Sequence, residues 1–263
     1  MTHINGAKNL LTVIINLDDM ENLEKLFFEL ASRNRLTILT ILSHEHLKMQ
    51  EIANRLNITA TEVFRQLQRL SAASLVQRLP SGAYKTTEYG RLILHLSSSI
   101  NFVSRHREYF LEHDLWALPG PFINRIGELR EATLLDTIAC VIKSIQIFLD
   151  AEEYAWGISE RGKGPDYLDP LVEKQIMAGL PFRLLIPDVV LPNALAQNPN
   201  RNIEIRGFKD CPVIIVLNEK ESMVAFNSVG GRIDYVGFHG DDPVFMNWAK
   251  DLFTYYWERG SRI

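Results

Sequence analysis

Between Thr59 and Ala73 the sequence sets hydrogen-bonding and cationic side chains at helical spacing. At 100° per residue Thr61, Arg65 and Gln68 point one way, flanked by Glu62, Phe64 and Arg69, while Val63, Leu67, Leu70 and Ser74 point the other. Such a face suits reading base edges, not breaking bonds. An arginine forks onto guanine O6 and N7 or onto a phosphate, glutamine pairs bidentately with adenine, and threonine or phenylalanine meets a thymine methyl. Thr59 and Glu62, three apart, form a capping-box start for this helix. Gln66 completes the helical set, and Arg78, Ser81, Tyr84 and Lys85 supply further donors shortly downstream.

Groups for covalent or hydrolytic chemistry are not assembled. No G-x-S-x-G, Walker loop or G-x-G-x-x-G occurs, and Gly157 to Gly164 (GISERGKG) has spaced glycines and Lys163 without P-loop spacing or a following Ser/Thr. His239-Gly240-Asp241-Asp242 lacks the lysine of the H-x-K-x4-D phosphodiester triplet, so the aspartates suit a helix start. His44 and His46 are two apart and point to different sides of a helix. Cys140 and Cys211 are isolated and are expected as buried apolar residues. No catalytic group, metal or cofactor is expected. In the C-terminal half Trp156, Arg161, Lys163, Arg183 and Asp188 form the candidate ligand site where strands end; three converging cations would select an anionic metabolite. The alternative is that this half docks a partner protein or builds a dimer.

The elements that must hold these residues follow from periodicity. Leu23, Leu26, Phe27 and Leu30, then Leu36, Leu39, Ile41 and Leu42, give two short helices; MQEIANRLNI gives a third, ending at Asn57, before the helix already described. Leu75 to Leu79, Pro80-Ser81-Gly82 and Ala83 to Thr87 form a β-hairpin. Three helices closed by a hairpin make a winged helix-turn-helix, whose recognition helix, residues 60–73, enters the major groove while the wing, residues 76–87, follows the backbone. Gly90 to Leu111 reads as one long helix with an apolar seam at Ile93, Leu96, Ile100, Val103 and Phe110, which suits a homodimer. Pro119-Gly120-Pro121 ends helical continuity and marks a boundary.

Beyond it come a helix from Ala132 to about Glu152, strand Tyr154 to Ile158, helix Leu168 to Gly179, and strands Phe182 to Ile186, Ile203 to Phe208, Val213 to Leu217, Met223 to Asn227 and Ile233 to Gly237. A last helix is capped by Asp242 and carries Phe245, Trp248, Ala249, Leu252 and Tyr256 on one face. The fold class is α+β: a DNA-binding domain over 1–92, a helical connector over 93–131 and an α/β regulatory domain over 132–263.

Charge follows the same division. Residues 22–93 hold ten Lys/Arg and six Asp/Glu, whereas residues 101–263 hold seventeen basic and twenty-three acidic, so a basic reader sits on an acidic body. The longest apolar runs, Leu10 to Leu17 and Val213 to Leu217, are shorter than the ~20 residues a membrane span needs, and no basic n-region with a cleavage site opens the chain. A cytoplasmic protein without a membrane partner is expected.

The runs RNRLTILTIL, MQEIANRLNITATEVFRQLQRLSAASLVQR and YKTTEYGRLIL resemble the winged-helix readers of the arsenical-resistance-repressor type, without the paired cysteines of its metal-sensing branch. His113 to Leu129 (HDLWALPGPFINRIGEL) and the closing GFHGDDPVFMNWAKDLFTYYWERG are similar to the regulatory domain of the archaeal methanogenesis regulatory protein family. The strand order after Ala132 is similar to half-barrel sensors related to phospholipase D, here without the catalytic triplet. The resemblance implies a homodimeric transcription regulator that binds double-stranded DNA and is modulated at its C-terminal domain. The alternatives are a winged-helix protein-interaction module and a phosphodiesterase or nuclease, the latter lacking its catalytic constellation.

Overall fold

A computed structural model describes residues 17–160, 179–197, 203–210 and 213–261. The chain divides into two compact units, residues 1–97 and 98–263.

The first unit is helical. α1 (Leu17–Leu30), α2 (Arg33–His44), α3 (Met49–Leu56) and α4 (Ala60–Ala72) precede a hairpin of β1 (Val76–Arg78) and β2 (Tyr84–Thr86); α5 (Glu88–Arg105) follows. The expected periodicities become one core, in which Ile38, Leu39, Leu42, Ile52, Ala53, Val63, Leu67, Leu70, Leu75 and Val76 are buried. Asn57, left-handed at φ 53°, makes the tight turn between α3 and α4. Leu26 and Leu30 of α1 pack on this core, but Leu23 and Phe27, expected on the same face, are exposed. Ser74 also departs from its expected face: α4 has ended, and Ser74 turns outward at φ 58°.

The hairpin is antiparallel, pairing Val76 with Thr86, Gln77 with Lys85 and Arg78 with Tyr84, and Gly82 takes the turn position at φ 83°. The run YKTTEYG has a local cause. Thr87 Oγ1 donates to Ser74 O (2.7 Å) and accepts from Gly90 N (2.9 Å), tying the start of α5 to the end of α4. A Cβ on Gly90 would collide with the Leu75 carbonyl, so only glycine permits this approach.

In the second unit α5 ends at Arg105 and α6 (Arg107–Glu112) begins after His106, so the expected single helix over Gly90 to Leu111 is two. Next come α7 (Gly120–Asn124), a 3-10 turn (Ile126–Leu129), β3 (Thr133–Leu135) and α8 (Thr137–Leu149). Among the described residues β4 (Ala155–Ile158), β5 (Phe182–Pro187), a short helix (Leu191–Gln197), β6 (Ile203–Phe208), β7 (Val213–Asn218), β8 (Ser222–Phe226), β9 (Gly237–Gly240) and the C-terminal helix (Pro243–Arg259) follow. Residues 98–131, expected within a separate connector, contribute Phe102, Tyr109, Leu118, Phe122, Ile126 and Leu129 to this unit's core.

The seven strands run in the order β3-β9-β8-β7-β4-β5-β6. β4, β5 and β6 are parallel and the remaining pairs antiparallel, so the sheet is mixed. β7 and β8 are buried at every residue because both sheet faces are covered. Ile215, Leu217, Val224 and Phe226 meet Trp248, Leu252 and Phe253 of the C-terminal helix, while Ile214, Val216, Met223 and Ala225 meet Cys140 and Ile147 of α8. The expected helix from Ala132 is displaced because Asp136 caps α8, its carboxylate accepting from Ala139 N (2.8 Å), and the three residues before the cap pair with β9. The strand expected at Ile233 to Gly237 starts only at Gly237, after Tyr235 at φ 61°. The helix expected at Leu168 to Gly179 lies outside the described residues except for Gly179, which sits in a turn; Cys211 is also outside them. Among the described residues no helix is long and apolar enough to cross a membrane.

Candidate nucleic-acid interface

Burial of Val63, Leu67 and Leu70 fixes the rotation of α4 about its axis. Thr59 caps it, its Oγ1 accepting from Glu62 N at 3.1 Å. Thr61, Phe64, Arg65 and Gln68 are therefore exposed together. Arg65 is 69% exposed at its side chain, and among the described residues it nears an acid only at 4.0 Å from Glu62. Gln68 and Thr61 make no side-chain hydrogen bond among the described residues. This stripe holds donors in water, free to exchange hydration for base edges or phosphates.

The flank toward α1 is engaged differently. Arg69, expected to contact DNA, holds Glu29 in a two-pronged pair (Nε to Oε2 3.0 Å, Nη2 to Oε1 2.6 Å) and lies over the Phe28 ring at 4.8 Å. The hydrogen bond raises the Arg69 pKa and lowers that of Glu29. Gln66, also expected at the interface, accepts from Arg35 Nη1 (3.1 Å) and donates to Glu62 Oε1. Buried Arg35 organises the group: it donates to Glu29 O (2.6 Å) and Phe28 O (2.8 Å), satisfying carbonyls at the open end of α1. Gln66 and Arg69 thus hold α4 to α2 and α1, and Glu62 steadies Gln66 within α4. Sequence spacing could not pair Glu29 with Arg69, forty residues away.

On the hairpin Arg78 is exposed and Lys85 partly so; neither makes an ion pair among the described residues. Ser81 turns its Oγ back to accept from Ala83 N at 3.4 Å. Tyr84 exchanges backbone hydrogen bonds with Leu47 (2.8 and 3.2 Å), and its ring packs against the core. It supports the hairpin and is partly buried.

The candidate ligand residues of the second unit are partly brought together. Trp156 and Arg183 are cross-strand partners on β4 and β5, with the guanidinium 5.0 Å from the indole centroid. Asp188 sits apart, accepting from Ser261 Oγ (2.9 Å). Arg161 and Lys163 lie outside the described residues. His239 faces Glu221 (2.6 Å), which also pairs with Lys143 at 3.3 Å. Burial opposes ionisation of Glu221, but these two partners outweigh it and hold its pKa below the ordinary range. His44 and His46 are exposed, and burial pushes the Cys140 thiol up to about 11.

No protein-family model matches the sequence, and no curated protein matches it. Among solved structures, the chain is similar over 88% of its length to 92% of the archaeal chromatin protein TrmBL2, at 15% identity and a TM-score of 0.43. It is similar over 73% to 65% of N,N-8-amino-8-demethyl-D-riboflavin dimethyltransferase from Streptomyces davawensis (15% identity, TM-score 0.29). HmgR from Pseudomonas aeruginosa shares 11% identity over 86% of this chain and 94% of its own, at a TM-score of 0.25. Likeness this distant assigns no activity; the functional reading rests on the chain's own residues.

Proposed function

We propose that this chain is a cytoplasmic, non-enzymatic transcription regulator that binds double-stranded DNA through a winged helix-turn-helix and acts as a homodimer. The observation that carries it is the α4 stripe of Thr61, Phe64, Arg65 and Gln68, exposed as a set on a helix whose opposite face is locked into the core. Laid in a major groove, α4 would present Arg65 and Gln68 to base edges, while Arg78 and Lys85 of the hairpin meet phosphates. The resemblance of the sequence to the archaeal methanogenesis regulatory protein family supports the same reading.

The dimer is supported by α5. Leu92, Leu96, Ile100 and Val103 are exposed at spacings of four, four and three, an apolar stripe that a second copy would cover. This stripe keeps Leu96, Ile100 and Val103 of the expected seam but not its ends, because Ile93 packs on the first unit's core and Phe110 on the second's. Two readers so joined would bind half-sites about one helical turn apart.

The test is selection of duplexes from fragmented genomic DNA by the purified chain at two salt concentrations. An enriched two-fold-symmetric site with salt-dependent affinity is expected. Failure to retain any duplex at low salt would refute the DNA reading and favour a protein partner.

A further inference from the structure

Across β7, β4, β5 and β6 one row of register partners reads Leu217, Trp156, Arg183 and Glu204. Directly paired residues share a sheet face, here the face under the C-terminal helix, since Leu217 and Trp156 both belong to that core. The helix adds Phe253, stacked on Trp156 (5.1 Å, 25°) and on Trp257 (5.6 Å, 19°). Tyr154 lies beside Trp156 at 4.7 Å. The result is an aromatic floor, with Tyr154 and Trp156 partly open to solvent.

Cations converge on this floor from two elements. Lys250 Nζ, from the helix, is 5.0 Å from the Tyr154 centroid and 5.2 Å from that of Trp156. Arg183 Cζ, from the sheet, is 5.0 Å from Trp156 and 5.5 Å from Trp257. Two positive charges thus share one indole. For this pair the described residues supply one carboxylate, Glu204, whose oxygen is 3.5 Å from Arg183 Nε and which is itself exposed. That distance exceeds the usual length of a charge-assisted hydrogen bond. Lys250 makes no ion pair among the described residues.

We propose that Lys250 and Arg183 form a binding site for a small phosphorylated ligand, its phosphate bridging the ammonium and the guanidinium and its body lying against Tyr154 and Trp156. A dianion answers two cations, and the guanidinium fork matches phosphate oxygens. The acidic balance of residues 101–263, seventeen basic against twenty-three acidic, disfavours an extended polyanion and selects a compact one. Glu204 is the internal competitor that the ligand displaces. The site deepens the proposed function, and only its regulatory consequence rests on that reading: a ligand here changes DNA affinity to the extent that it prefers one arrangement of the dimer.

Calorimetric titration of the full chain with inorganic phosphate and pyrophosphate at constant ionic strength, against a sodium chloride blank, tests the site. Saturable binding is expected, tighter for pyrophosphate. Lys250→Ala, at an exposed position, should weaken it tenfold or more, and Glu204→Gln should tighten it severalfold, an effect that a purely structural role for this cluster does not produce. No saturable heat through the millimolar range, the same heat with chloride, or unchanged binding in Lys250→Ala would overturn the proposal. Displacement of pyrophosphate from this site by duplex DNA in an Arg65→Ala background would overturn the small-ligand assignment in favour of a nucleic-acid surface. The titration contains no DNA, so its failure leaves the DNA reading standing; loss of DNA binding in Arg65→Ala should leave the isotherm unchanged.

Discussion

Arg65→Ala separates recognition from folding. The side chain is 69% exposed and its only ionic neighbour among the described residues is Glu62 at 4.0 Å, so the unfolding free energy should change by less than about 0.5 kcal/mol. In the complex the loss is larger. A bidentate arginine–guanine contact contributes roughly 1–3 kcal/mol of discrimination. A two-fold dimer loses it at two distant positions, which add, so binding should weaken by about 2–6 kcal/mol, or roughly 30-fold to 10⁴-fold in Kd. A phosphate contact would instead weaken all sequences alike and reduce the salt slope by about 0.9 per contact. Fluorescence anisotropy of the selected duplex at several salt concentrations distinguishes the two, with urea unfolding run in parallel. Unchanged affinity and unchanged slope with a folded protein would refute the assignment of α4 as the reading helix. Arg69→Ala should differ in kind: it removes one of the two arginine partners of Glu29, the other being Arg35 (3.1 Å), so its effect should appear first in unfolding of the first unit.

Three further outcomes follow from the same contacts. The Glu29 carboxyl is held below its ordinary range chiefly by the Arg69 hydrogen bond; its stabilisation is complete above the unfolded carboxylate range and is lost as pH falls through the lowered folded value. Glu29→Gln should therefore flatten the acid limb of first-unit stability; all four tryptophans lie beyond residue 97, so that unit is followed by circular dichroism changes that tryptophan fluorescence does not share, and an unaltered limb would contradict the pairing. Gly90→Ala forces a methyl toward the Leu75 carbonyl and to 2.7 Å from Thr86 Cγ2, and should cost about 1–3 kcal/mol in the same transition; a wild-type urea midpoint would show the approach to be relaxed. Leu96→Glu places a charge in the exposed α5 stripe and should give a monomer by sedimentation with weakened DNA binding, whereas an intact dimer would move the interface elsewhere.

What the sequence made legible was whatever a single helix or strand pair decides. Val63, Leu67 and Leu70 announced the buried side of α4 by spacing alone, and the hairpin and the Asp242 cap, which accepts from Val244 N and Phe245 N (3.0 and 3.1 Å), needed only neighbours. The partners that spacing does not reveal are those where distant residues compete for a side chain. Arg69 and Gln66 have the chemistry of base readers, yet Glu29 and Arg35 claim them across the fold. The expected seam loses its two ends for the same reason, since Ile93 packs on the first unit's core and Phe110 on the second's. Lys250 was invisible as a partner of Trp156 because ninety-four residues separate them.

The two most distinctive C-terminal motifs converge on one structural core. Phe122 of the first motif meets Trp248 of the second edge to face at 5.8 Å and accepts its indole N–H at 3.2 Å; Arg125 bonds Glu128 (2.8 Å) and Asp251 (2.9 Å); buried His113 faces Asp234 (3.1 Å). These residues build the scaffold of the second unit. The exposed stripe of α4 is the reverse case, since Thr61, Phe64, Arg65 and Gln68 are exposed side chains on a helix that other residues hold in place. Exchanging those four should therefore change which duplex is selected while leaving both unfolding transitions in place. Exchanging Trp248 or Phe122 should do the opposite, lowering stability by the roughly 3–5 kcal/mol of a truncated buried aromatic without altering the sequence preference of the protein that remains folded.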